Sequence, residues 1–191
     1  QKKNGVPFWA FLQAGGQWEG SLSVRVPNYA ETSLDIGVPL LYGAKAIQIF
    51  PYCFPNDWIG DLNADSGLID VNGNKTERFE WFKRLITQVQ AMADTLLDAK
   101  FQGVISAGRY ENGLDLERMD KELWNECVFR GNLSNCENQT LEKFRSLEKV
   151  EAETQALVGC FLGENNEEIY FVLNNSTTEC VEVNCIFNAE G

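Results

Sequence analysis

Apolar and polar residues along the first hundred positions group into segments that predict strands and helices in alternation. Residues 6–14 form a nearly continuous apolar run (VPFWAFLQA), as expected of a strand buried on both faces. Residues 29–42 predict a helix, and residues 44–52 (AKAIQIFPY) predict a second strand. From residue 75 to about residue 100, apolar side chains recur at spacings of three and four, which places them on one stripe of a long helix. Strand, helix, strand, helix with buried strands indicates parallel βα units.

Polar residues mark where the two helices begin. Asn28 and Glu31, three positions apart, fit a capping box at the start of the first helix. Asn74 and Glu77 have the same spacing and predict a cap for the second helix. Pro39 lies inside the first helix, which it is expected to kink or interrupt because it lacks a backbone N–H.

The pattern changes near residue 100 and becomes mainly β. Apolar β runs separated by Asn-rich turns predict a small antiparallel meander, part of a β-sandwich, in residues 157–162, 168–173 and 181–187. Residues 141–155 have helical propensity, but their apolar residues are spaced strictly three apart, which suits an α-helix poorly.

The charge balance narrows the classes of partner. The chain has 191 residues, with 28 acidic and 16 basic side chains and a formal net charge of −12. Such a charge repels a phosphate backbone or an anionic lipid surface, so neither nucleic acid nor a membrane is expected as a partner. No apolar run of the sequence approaches the roughly 20 residues that a membrane-spanning helix needs.

The sequence contains no histidine, which narrows the chemistry further. Ser-His-Asp and Cys-His catalysis within the chain and histidine-ligated zinc are thereby excluded. The six cysteines form no CxxC pair and the sequence has no glycine-rich phosphate loop, so neither a metal nor a cofactor is expected. The cysteine spacing is more typical of a reduced, cytoplasmic protein than of a disulfide scaffold, although an even number also allows bridges and secretion. Carboxylates, aromatics and amides remain, and sugar-acting enzymes use these groups.

Both ends of the sequence look cut. It begins at Gln1 without a methionine or a signal-peptide pattern, and it ends four residues after a predicted strand that needs a partner. We therefore expect a fragment or a processed chain, with further motifs outside the sequence.

Three segments stand out in order along the chain: residues 7–14 (PFWAFLQA), 25–31 (RVPNYAE) and 42–52 (YGAKAIQIFPY). Together with the loop of residues 67–73 (GLIDVNG) and the long helix after it, they resemble the end of (β/α)8-barrel glycoside hydrolases of the β-galactosidase and cellulase type. The resemblance implies an α/β fold class in residues 1–100, the last two βα units of a TIM-type barrel. In residues 101–191 a mostly β accessory domain, small, antiparallel and sandwich-like, is expected to follow.

Alternation within the second strand assigns its two faces. Gln48, Phe50 and Tyr52 share one face, and Ile47 and Ile49 share the other. The aliphatic pair suits packing under the helices, so the Gln48 face is predicted to point into the barrel. Tyr52 would then lie near the mouth, where barrel enzymes bind substrate.

The resemblance implies four substrate-binding residues: Gln13, Trp18, Tyr52 and Trp58. Such enzymes carry a nucleophilic carboxylate at the end of the seventh strand, where this sequence has the amide Gln13, so the catalytic residues stay unidentified. Gln13 could bind a substrate hydroxyl, with filling of the barrel's top layer as the alternative. Tyr52 could stack on or hydrogen-bond a sugar, or pack against loops. Trp18 and Trp58 lie in the loops after the two strands, where either could be a sugar platform.

Three hypotheses follow. In the first, the chain is part of a carbohydrate-active protein, a glycoside hydrolase whose two carboxylates lie mostly before Gln1, so that the fragment alone is inactive. The second is a non-catalytic module that binds an oligosaccharide or glycoside, and the third is a purely structural domain. Because two βα units leave strand edges unpaired, the chain is also expected to self-associate or to stay bound to the missing part of the barrel.

Overall fold

The computed structural model describes residues 6–19, 22–53, 67–107, 128–130 and 146–188, and for residues 17–19, 22–24, 106 and 128–130 it describes only the backbone. The elements in chain order are β1 (Trp9–Gln13), β2 (Gln17–Glu19), β3 (Leu22–Val24), α1 (Tyr29–Leu41), β4 (Ala46–Phe50), α2 (Glu77–Asp98), β5 (Lys100–Ala107), β6 (Val128–Arg130), β7 (Leu147–Ala152), β8 (Ala156–Leu162), β9 (Glu168–Asn174) and β10 (Val183–Phe187). Two helices and ten strands make this part of the chain mostly β.

The predicted fold class, two βα units of a TIM-type barrel followed by a small antiparallel β-domain, is wrong. Over the described ranges the strands form four small sheets: β1–β4, β2–β3, β10–β7 and a four-stranded sheet ordered β6-β5-β8-β9. The β1–β4 pair is parallel, with α1 between its strands, but it contains two strands only. After α2 the chain does not extend this pair, because β5 pairs with β8 in antiparallel orientation.

The predicted capping box of α1 is confirmed. The Asn28 side chain accepts a hydrogen bond from the Glu31 N–H (3.0 Å), and a Glu31 carboxylate oxygen accepts one from the Asn28 N–H (2.9 Å). Pro39 does not interrupt the helix, which runs on to Leu41. Pro39 lies in the last turn, where its missing N–H removes the hydrogen bond to the carbonyl of Asp35, but the helix continues for two more residues.

The predicted cap of α2 is wrong. The helix begins at Glu77, and its N-terminal cap position is held by Thr76, which makes no side-chain capping bond. The Thr76 hydroxyl instead donates to the carbonyl oxygen of Gly67 (2.9 Å). Asn74 is held by Asp70, whose carboxylate accepts from the Asn74 N–H (2.7 Å) and from its side-chain amide (3.1 Å). These bonds fold the loop before α2 onto itself.

The two helices lie between the β1–β4 sheet and the four-stranded sheet. On the β1–β4 side, the buried core residues are Leu12, Ala14, Ile36, Leu40, Leu68, Phe82 and Leu85. On the side of the four-stranded sheet, they are Leu41, Leu96, Ala99, Val104, Leu157 and Phe161. The domain boundary predicted at residue 100 stays a prediction. Residues from both sides of it pack together, because α1 contacts β8 and β9.

β8 is buried along its whole length. It pairs with β5 on one edge and β9 on the other, both antiparallel. The helices cover one of its faces, and β7 and β10 cover the other, where the buried residues are Ile105, Ala107, Leu147, Val150, Val158, Cys160 and Leu162. The predicted β8–β9 hairpin is thus confirmed, whereas the third predicted strand of the meander, β10, pairs with β7 instead of β9.

Candidate functional site

The β1–β4 pair presents six side chains on the side facing away from the helices. In its parallel register, Trp9 lies beside Ala46, Phe11 beside Gln48, and Gln13 beside Phe50. Directly paired residues point to the same side of a sheet, and alternate residues along a strand share a side. We call this side the aromatic face; its residues are Trp9, Phe11, Gln13, Ala46, Gln48 and Phe50.

The aromatic face is open to solvent. Trp9 is 62% exposed, Phe11 74% and Phe50 53%, and Gln48 is exposed as well. The alternate residues of the same strands, among them Leu12 and Ile49, pack against the helices. The expectation that the first strand is buried on both faces is therefore wrong. Contiguous exposed apolar patches of this kind are uncommon in soluble proteins and are typical of interaction or ligand-binding surfaces, which makes this face the candidate site.

Gln13 is held in a fixed orientation at the C-terminal end of β1. Its side-chain N–H groups donate to the carbonyl oxygens of Gly15 and Arg25, each at 2.7 Å. Both donors of the amide are thereby used, and the side-chain carbonyl oxygen is left as the group that can accept a hydrogen bond from a ligand.

Arg25, whose backbone orients Gln13, is itself fixed by Glu31. The guanidinium donates to both carboxylate oxygens of Glu31, with one of the two bonds at 2.7 Å. The side-chain hydrogen bond from Arg25, followed by the backbone bond from Asn28, lowers the pKa of Glu31 from 4.5 to about 2. The pair therefore stays ionised at neutral pH and connects the start of α1 to the Gln13 end of the aromatic face.

Lys45 lies directly before β4 and points away from the aromatic face. Its ammonium donates to the carbonyl oxygens of Leu97 (2.8 Å) and Ala99 (2.7 Å), and also to that of Leu96, at the C-terminal end of α2. Burial lowers the pKa of Lys45. This lysine caps a helix, so its charge is used inside the fold.

The structure locates two of the four predicted substrate-binding residues. Gln13 lies on the aromatic face, level with Phe50. Tyr52 is 56% exposed and lies two residues beyond β4, where its backbone carbonyl accepts from the N–H groups of Leu68 (2.9 Å) and Ile69 (3.0 Å). Trp58 lies outside the described residues, as does the side chain of Trp18. For all four, substrate contact stays a prediction.

Sequence reasoning missed Trp9 and Phe11 as site candidates. They lie in a nearly continuous apolar run, residues 6–14, and such a run predicts a strand that is buried on both faces. The alternation of large aromatic residues with Ala10 and Leu12 was the available signal, because it separates a bulky face from a smaller aliphatic one.

A second polar cluster joins two sheets. One carboxylate oxygen of Glu168 accepts from the Tyr170 hydroxyl (2.6 Å), from the Ser146 N–H (3.2 Å) and from the Ser146 hydroxyl. Burial, followed by the bond to Glu168, raises the pKa of Tyr170. Because the phenol of Tyr170 is held protonated, it is a poor general base. The hydrogen bonds of the cluster connect the start of β7 to β9.

Among the described residues, cysteine and carboxylate side chains form no group of three that could hold a metal ion. Neither α1 nor α2 has the combination of length and apolar character that crossing a membrane requires.

Comparison with known protein families, curated proteins and solved structures finds no match to this chain. The functional interpretation therefore depends on the aromatic face and its surroundings.

Proposed function

We propose that the aromatic face binds an oligosaccharide and that the chain is part of a carbohydrate-active protein. The observation that supports this proposal is the exposure of Trp9, Phe11 and Phe50 beside the fixed amide of Gln13. Binding sites commonly combine apolar and aromatic side chains with a few polar groups whose orientation is set by the protein.

The two residue types suit the two kinds of surface that a sugar presents. A pyranose ring has an apolar C–H face, which can pack on an aromatic ring and remove both from water. Its rim carries hydroxyl groups, which need hydrogen-bond partners. The Gln13 carbonyl oxygen can accept from a hydroxyl, and the Gln48 amide can both donate and accept.

The register predicts an elongated ligand. Trp9 and Phe11 occupy successive levels of β1, and Phe50 stands at the next level, beside Gln13 on the neighbouring strand. Alternate residues of a strand are spaced by about 6.6 Å, so the three rings extend over roughly 13 Å along the strands. A chain of sugar units covers such a row better than a single unit does.

Hydrolysis of O-glycosidic bonds stays a prediction for a larger parent protein. Glycosidases of this kind need two carboxyl groups flanking the bond. The aromatic face, as far as the structure describes it, contains amide and aromatic side chains but no carboxylate. Catalysis would need carboxylates from elsewhere, whereas binding would not.

Titration calorimetry with the whole chain tests the proposal, using a series of sugars from monosaccharides to hexasaccharides. We expect affinity to increase with chain length. Replacing Trp9 or Phe11 by serine should weaken binding about tenfold each, since stacking on an aromatic ring contributes on the order of 1 kcal/mol beyond area burial.

Leu97→Ser is the matched control, because Leu97 is also an exposed apolar residue, 53% exposed, but lies on α2 away from the aromatic face. This variant should bind as the wild type does. A folded wild-type chain that binds no sugar of the series would refute the proposal. Binding that Trp9→Ser and Phe11→Ser leave unchanged would refute the assignment to this face.

A further inference from the structure

The aromatic face carries no charged side chain among its six residues. It lies on a chain with a net charge of −12. A ligand on this face therefore meets the uncharged side chains of its six residues and a negative potential from the molecule as a whole.

Arg25 is close to the face but its charge is compensated. Its backbone carbonyl contacts the side chain of Gln13, yet its guanidinium is bound to both carboxylate oxygens of Glu31. Releasing the guanidinium to a ligand would break a two-point ion pair with Glu31, the carboxylate that also accepts from the Asn28 N–H.

Lys45 is the second cation next to the two strands in the described part of the chain, and it is directed to the opposite side. It shares the side of Ile47 and Ile49, the helix-facing side, and its ammonium contacts the carbonyl oxygens that end α2. Both of these cations are thus used for internal contacts, and the six residues of the face are themselves uncharged.

We infer that the aromatic face selects uncharged glycans and rejects anionic ones, such as chains that carry uronate or sulfate groups. The inference rests on the proposed function and specifies its ligand class. An anionic sugar placed here loses hydration without gaining an ion pair, and it approaches against the field of the chain. A neutral sugar has no charged group to desolvate and is not repelled by this field.

The experiment compares neutral oligosaccharides with anionic ones of similar length, by calorimetry at low and at high salt. We expect neutral sugars to bind with little dependence on salt and anionic sugars to bind at least about tenfold more weakly at low salt. Anionic binding as tight as neutral binding would overturn the inference and leave the proposed function standing. No binding of either class would overturn both.

A charge-introducing pair of variants separates the face from the overall field. Gln48→Lys places a cation at the centre of the aromatic face, and Gln88→Lys makes the same change at an exposed position of α2. We expect Gln48→Lys to gain binding of anionic sugars about tenfold over Gln88→Lys at low salt. Equal effects of the two variants would show that net charge, and not the face, sets the selectivity, and would refute the inference.

Discussion

Glu31 makes three contacts that depend on its negative charge. Its carboxylate binds the guanidinium of Arg25 at two points and accepts the backbone N–H of Asn28, in the first turn of α1. A negative charge is also favoured there by the helix dipole. Through the backbone of Arg25 this carboxylate reaches Gln13, so one side chain supports both the helix start and the orientation of a candidate ligand-binding amide.

Glu31→Gln is expected to reduce the pH dependence of stability. Because the pKa of Glu31 falls from 4.5 to about 2 in the folded chain, its contribution is present above about pH 4.5 and is lost as the pH falls toward 2. The variant should lose about 1 kcal/mol at pH 6 and show a smaller further decrease between pH 5 and pH 3. Urea unfolding at the three pH values measures both effects.

Glu80→Gln serves as the control for this prediction. Glu80 is exposed in the first turn of α2, 4.0 Å from Lys83, so it shares the helix-dipole interaction with Glu31 but makes no two-point ion pair with an arginine. The free energy of unfolding of the Glu80→Gln variant at pH 6 should differ little from that of the wild type. If Glu31→Gln and the wild type lose the same free energy between pH 5 and pH 3, the ion pair does not act as described.

At the scale of elements, the end of α2 depends on a residue from another part of the chain. The last turn of α2 contains no basic residue, and Lys45 supplies the positive charge from the start of β4. The contact joins the C-terminal end of one helix to a strand about fifty residues earlier. Local sequence around α2 cannot reveal such a cap.

Lys45→Met is expected to lower the free energy of unfolding by about 2 kcal/mol. The substitution keeps an apolar stem of similar length but removes a charged donor from three carbonyl oxygens at a helix end. Lys83→Met, at an exposed position of α2, should change stability by less than about 0.5 kcal/mol. Chemical denaturation of both variants decides the question, and equal losses would contradict the capping role.

A comparison of two glycines tests how closely α1 packs on the four-stranded sheet. A Cβ at Gly159 of β8 would lie 2.6 Å from the backbone carbonyl oxygen of Leu41, whereas a Cβ at Gly37 of α1 would lie 2.6 Å from a methyl group of Leu173. A side-chain end can move and a helix backbone cannot. In addition, alanine favours helix formation over glycine by about 1 kcal/mol.

We therefore expect Gly159→Ala to cost about 2–3 kcal/mol and Gly37→Ala distinctly less. Thermal unfolding of the two variants gives the ranking. The reverse order would mean that the helix can shift away from the sheet more easily than a leucine can change its rotamer.

Element prediction from the sequence succeeded where the signal was local. Asn28 and Glu31 marked the start of α1 correctly because a capping box involves four consecutive residues. β7 was not identified, since Leu147 and Val150 are three residues apart and a regular strand alternates every two. The structure explains the spacing by an irregularity in the β7–β10 pairing: Phe187 pairs with Leu147, and Ile186 pairs with Lys149. The extra residue of β7 resets the alternation, so both buried residues face inward.

At the scale of the molecule, the sequence could not predict how many strands share a sheet. The segments around β1, α1 and β4 gave strand, helix and strand, but a barrel requires pairing partners that lie far away in sequence. The same limit applies to the candidate site. The position of Gln13 at a strand end makes it a candidate from the sequence, whereas the exposure of Trp9 and Phe11 depends on what else packs on β1.

Self-association of the chain is expected and can be measured by light scattering. Among the described strands, β1 and β4 pair only with each other, so each has an open edge beside the aromatic face. The net charge of −12 opposes association, and added salt should therefore increase the apparent mass. Phe11→Lys should reduce association more than Leu97→Lys. A monodisperse monomer at every salt concentration would contradict this expectation.

The enclosure of β8 determines how fast its backbone amides exchange hydrogen with the solvent. Its backbone amides are flanked by β5 and β9 at the edges and covered by helices and strands on the faces, so water reaches them only when several elements separate together. Their deuterium uptake should then be the slowest in the chain and should report the free energy of global opening, while amides of the β1–β4 pair exchange through small local openings. A stabilising ligand on the aromatic face would be detected first by slower exchange in β1 and β4. β8 would respond only to the extent that the ligand stabilises the whole fold.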